Sequence, residues 1–72
     1  MTLLELKRRE IGLKQIEVAA QIGMNKSLVS QVERLHRKPW PKLRVKLAEA
    51  LGTHEGKLFD DDGWPKKITA KM

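Results

Sequence analysis

The chain has 72 residues, and its 15 Lys plus Arg against 9 Asp plus Glu leave a net charge of +6. That length excludes two domains, since a chain of this size buries only about 60% of its unfolded surface, while 40% hydrophobic residues suffice for one small core. The absence of cysteine excludes a disulfide framework, a thiolate zinc site and a cysteine nucleophile.

Thr2 to Glu10 predicts a first helix, with Thr2 as N-cap, leucines as helix formers, a basic last turn and Gly12 as the stop. Gln15 to Ile22 predicts a second, with Val18, Ala19 and Ile22 on one face and Gly23 at its end. Asn25 can cap a third, Lys26 to about Arg34, whose Leu28, Val29 and Val32 again share a face. A basic loop follows. Pro41 suits the first turn of a fourth helix running to Leu51, with Leu43, Leu47, Ala50 and Leu51 inward and Gly52 beyond its end. Thr53 is the expected cap of a short fifth helix through Phe59, although Gly56 weakens it. Lys66 to Ala70 is too short and polar to assign, which leaves the tail either disordered or paired with something. The expected architecture is an all-α five-helix bundle over residues 1–59 with a short C-terminal tail, 60–72.

Charge is distributed unevenly. Residues 1–59 hold 12 basic and 6 acidic side chains, whereas residues 60–72 hold three of each, so the whole surplus lies in the first segment. Six cations, Arg34, Arg37, Lys38, Lys42, Arg44 and Lys46, follow one another without an intervening acid. Such a surplus suits a polyanion, because each cation that neutralises a phosphate releases a condensed counterion. Asp60, Asp61 and Asp62 lack the alternating ligand spacing of a calcium loop, and Lys71 stands where its bidentate Glu would be. His36 and His54 have no clustered ligand neighbours, so no metal or cofactor is expected, and no nucleophile, base and acid are arranged for catalysis. No apolar run approaches the ~20 residues that cross a bilayer, and the N-terminus lacks the pattern of a signal peptide; a cytoplasmic protein is expected.

Gln15, Val18, Ala19, Ile22, Gly23, Met24, Val29 and Val32 carry the spacing of a helix-turn-helix. Ala19 is small where the third helix crosses, Gly23 permits the positive dihedral of the tight turn, and the larger apolar residues fill the angle between the two helices. Left outside are Asn25, Lys26, Ser27, Ser30, Gln31 and Arg34, which form one polar face.

With Arg8, the Gly12-Leu13 turn, Glu17, Val32-Glu33, Pro39 and Leu47 to Gly52 added, the chain from Leu4 to about Phe59 resembles the phage-repressor and Cro-type helix-turn-helix family, also called the xenobiotic-response-element type. The resemblance implies a lambda-repressor-like bundle that binds operator DNA, usually as a dimer, with the third helix in the major groove. It implies base contacts from Lys26, Ser27 and Gln31, with Ser30 and Asn25 second, a phosphate contact from Gln15, and an Arg8–Glu33 ion pair between the first and third helices. Arg34, His36, Arg37, Lys38 and Arg44 flank the reading helix as expected phosphate contacts. Dimerisation in the family uses the region of the fourth and fifth helices, where Leu58, Phe59 and Trp64 are the apolar candidates.

Three positions depart from the family pattern. Lys14 replaces the usual Ser or Thr, so Glu17 is expected to lose its capping partner. Leu35 replaces a glycine, and a left-handed leucine costs about 1 kcal/mol or more, so the third helix is expected to run on or end differently. Leu28 lies beside the polar face, either packing at the helix edge or touching a thymine methyl. Trp40 reads as packing or an interface anchor. The expected function is a small transcriptional repressor or regulator of phage, prophage, plasmid or toxin-antitoxin type. The alternative is a protein-docking adaptor, which would show an apolar patch around Lys26 to Gln31.

Overall fold

Short helices of eight to ten residues are marginal alone, so the termini and the shared core decide whether these form. In the computed structural model, which describes residues 1–68, the chain forms α1 (Leu3–Glu10), α2 (Gln15–Ile22), α3 (Lys26–Glu33), α4 (Pro41–Ala50) and α5 (Glu55–Leu58). Thr2 Oγ1 accepts the Glu5 N–H at 3.2 Å and Asn25 Oδ1 accepts the Leu28 N–H at 2.9 Å, so both expected caps are in place. At α2 the outcome differs from expectation: the Glu17 carboxylate still accepts the Lys14 backbone N–H at 2.7 Å. That half of a capping box needs only a backbone donor, and Lys14 has no side-chain acceptor to supply the other half.

The four longer helices close in the same way. A residue with positive φ follows each, and the next N–H bonds back five residues: Leu13 to Arg8 O, Met24 to Ala19 O, His36 to Gln31 O and Thr53 to Ala48 O. Gly12, Gly23 and Gly52 occupy three of these positions, and Leu35, with φ of 64°, occupies the fourth. The third helix therefore does not run on, and the leucine accepts the strained conformation. The same closure explains why Thr53 does not cap α5. Its N–H ends α4, and α5 starts two residues later behind His54 without a side-chain cap.

α2 packs against α3 and α4, and α4 against α5. Leu4, Val18, Val29, Val32, Leu43 and Leu47 are almost completely buried where these elements meet. Leu58 and Phe59 join them at 3% and 4% exposure. The expectation that these two lie at an interface between copies is thereby corrected, because both are needed to close this chain's own core. Trp64 remains partly exposed.

Of the two readings of the tail, residues 60–68 follow the second: they fold back along the first residues. Asp60 Oδ1 accepts the N–H groups of Asp62 and Trp64, and Gly63 takes φ of 87° as the chain reverses. Phe59 then pairs with Pro65 and Thr2 with Lys67. The Leu3 N–H donates to Lys66 O at 2.9 Å, and the Ile68 N–H to Met1 O at 3.1 Å. Residues 69–72, including Ala70 of the unassigned stretch, lie outside the described residues.

Candidate nucleic-acid interface

α3 buries Val29, Val32 and Glu33 and turns the rest outward. Lys26, Ser27, Ser30, Gln31, Arg34 and His36 line one shallow groove on that outer side. The periodicity explains the grouping, since positions 26, 27, 30, 31 and 34 recur at three- and four-residue steps along one helical stripe. Asn25 stands at the entrance, its oxygen used by the cap and its amide nitrogen available. Leu28 is half-buried and packed against the core, so of its two readings the structure favours packing.

Behind this face Glu33 is buried with three donors on it. Arg8 Nε reaches its Oε2 at 2.6 Å and Arg8 Nη2 its Oε1 at 3.2 Å, a two-point contact, while Gln15 Nε2 donates to Oε1 at 2.9 Å. The third Arg8 nitrogen donates to Leu13 O at 2.7 Å, which ties the α1–α2 turn to the same centre. The Arg8–Glu33 pair thus fixes α1, α2 and α3 to one another. Gln15 is half-buried and half-committed: one amide hydrogen serves Glu33, and the other stays available at the start of α2. The Glu17 N–H bonds back to Lys14 O at 3.0 Å, which leaves the Gln15 and Ile16 N–H groups open at the start of α2. Glu5, Arg8, Arg9, Lys14, Gln15, Ile16, Lys26 and Arg34 line the concavity around that helix start; Glu5 is paired with Arg9 and Arg8 is held on Glu33, so the charge left over is positive and suits an anion.

The basic loop after α3 has exposed His36, Arg37 and Lys38. The Arg37 guanidinium lies 5.9 Å from the centre of the Trp40 ring, an exposed cation resting on an aromatic face. Arg44 behaves differently from expectation. Its Nη1 donates to Pro39 O at 3.0 Å and its Nε to Glu55 at 3.4 Å, so it is half-buried and engaged within the chain. The reason is its neighbourhood: α4 faces α5 here, and the reversal at Gly63 brings the chain so close that a Cβ at Gly63 would stand 2.6 Å from Arg44 Nη1. Arg44 holds the loop rather than presenting a charge to solvent. Gln15's bond to Glu33 was not foreseen from the sequence, though it could have been suspected from the Arg8–Glu33 pairing; the return of the tail was one of two open readings, and no local signal chose its partner.

The whole arrangement places a polar helical face, an anion-seating helix start and a basic loop side by side. No helix among the described residues is long and apolar enough to cross a membrane. A family model described as helix-turn-helix matches residues 4–58. No curated protein and no solved structure matched the chain.

Proposed function

The chain belongs to the Cro/repressor-type helix-turn-helix family of non-enzymatic DNA-binding transcription regulators, and from that premise we propose that it is a small sequence-specific repressor or regulator of phage, prophage, plasmid or toxin-antitoxin type. The observation that carries this reading is the composition of the α3 groove, whose lining residues are all polar or basic. Lys26 can donate to guanine O6 and N7, Gln31 can pair with adenine through both amide atoms, and Ser27 and Ser30 can serve either. Asn25 offers its remaining amide hydrogens at the helix start. Gln15, Arg34, His36, Arg37 and Lys38 take phosphates on either side and set the register, while Arg44 positions the loop that carries three of them. The same polar lining argues against a docking adaptor, which needs an apolar patch there.

Two copies on a pseudo-palindrome would place their third helices about 34 Å apart. With Leu58 and Phe59 buried, Trp64 remains of the expected apolar contacts, and exposed Trp40 is a second. Selection of bound duplexes from a random pool tests the reading: the expected result is an enriched motif with two half-sites. Gln31→Ala and Lys26→Ala should each relax the preference at one position by about 1–3 kcal/mol, whereas Arg37→Ala should weaken binding to all sequences alike. A pool that emerges without any enriched sequence would refute specific readout.

A further inference from the structure

The returning C-terminal segment lies beyond the span that matches the family, residues 4–58, yet its pairing brings it to the end of the reading helix. The backbone bonds of Lys66 and Ile68 to Leu3 and Met1 hold Lys67 between them opposite Thr2. Lys67 there lines a groove together with Thr2, Glu5, Glu33, Arg34 and Leu35. The groove contains two acids, but both are already engaged: Glu5 by Arg9 at 2.6 Å and Glu33 by Arg8 at 2.6 Å. Arg34 and Lys67 are exposed and make no ion pair among the described residues. The uncompensated side-chain charge of this groove is therefore positive, and it comes from Arg34 and Lys67.

Arg34 connects this groove to the others. It also lines the α3 groove with Lys26 and Gln31, and the concavity at the start of α2 with Lys14 and Gln15. One basic strip thus runs from Lys14 through Lys26 and Arg34 to Lys67. We propose that Lys67 contacts a DNA phosphate next to the site read by α3, so that the C-terminal return is part of the DNA interface. This inference builds on the reading of the α3 face as a DNA interface. Duplex DNA carries a phosphate charge about every 1.7 Å along its axis, so a cation held beside a groove-reading helix meets an anion without further adjustment. Lysine suits such a contact, as a mobile point charge that positions without reading sequence. Arg34 and Lys67 then act as consecutive phosphate contacts at the end of α3.

The experiment measures affinity of the full chain for one selected duplex and one random duplex between 50 and 200 mM salt. Lys67→Ala keeps the backbone pairing, since only main-chain atoms make it, and thermal melting checks that the fold is retained. The expected result is a salt slope shallower by about 0.9 than that of the unaltered chain, equivalent to a loss of binding about threefold larger at 50 mM than at 200 mM. The loss is equal on both duplexes, and Lys67→Arg restores it. Lys57→Ala, on the outer side of α5, should leave the slope unchanged. If Lys67→Ala matches the unaltered chain while Lys26→Ala and Arg34→Ala weaken binding, the extension of the interface is wrong and the α3 reading stands. If the unaltered chain shows no salt-sensitive DNA binding, the α3 reading itself fails.

Discussion

Glu33 is 3% exposed, and a carboxylate in that position survives only because it accepts three bonds from Arg8 and Gln15. The pair contributes little net stability compared with apolar side chains, yet losing one partner strands the other. Arg8→Ala is expected to cost about 3–5 kcal/mol in urea unfolding, against a total of about 4–11 kcal/mol for a domain of this length. A loss below about 1 kcal/mol would mean that water reaches Glu33 and relieves it. The same residues bear on the proposed phosphate contact of Gln15, whose amide is oriented by its bond to Glu33. Arg8 and Glu33 were both legible from the sequence through the family pattern. Their link to Gln15 was not, because it depends on where α2 starts relative to α3.

Among the elements, the helix ends are the instructive feature. The four longer helices finish on a left-handed residue, and glycine accepts this without strain at three of them. At Leu35 the geometry is imposed by the surroundings: Leu35 N–H and His36 N–H close onto Val32 and Gln31, and the basic loop must leave α3 in that direction to reach Pro39, which is buried. The strain was foreseen, but the wrong partner was expected to yield. Leu35→Gly should be more stable than Leu35→Ala by about 1 kcal/mol in thermal or urea unfolding, because both lose the side chain and only alanine keeps the strained dihedral. Equal stabilities would indicate that the loop relaxes once the leucine is gone. α5 shows the opposite limit: one turn long, weakened by Gly56 and uncapped, it is placed by the burial of Leu58 rather than by its own sequence.

For the whole molecule, the C-terminal return closes the bundle by joining its two ends. A chain ended at Phe59 would lose the bonds from Leu3 to Lys66 and from Lys66 to Leu58 and the pairing of Phe59 with Pro65. At roughly 0.5–1.5 kcal/mol per hydrogen bond, such a chain is expected to be less stable by about 2 kcal/mol, measured by its urea midpoint. Unchanged stability would make residues 1–59 a self-sufficient unit. The return also brings Lys67 beside Arg34, so the same truncation should lower DNA affinity without altering the preferred sequence.

The sequence by itself determined the first four helices, apart from the end of α3, because the caps at Thr2 and Asn25, the glycine stops and the three- and four-residue apolar spacing act within a turn or two of the chain. It also determined the helix-turn-helix, whose residues lie within one short stretch and whose spacing leaves a single polar stripe outside. Only the tertiary structure decided which cations are engaged within the chain and which stay exposed. Arg44 and Lys67 are both basic residues in polar surroundings, yet the packing of α4 on α5 turns the first inward while the pairing at Thr2 leaves the second exposed. Charge counts cannot separate them, because an ionised side chain binds whichever partner the fold places nearest, and that is set by contacts between residues far apart in sequence.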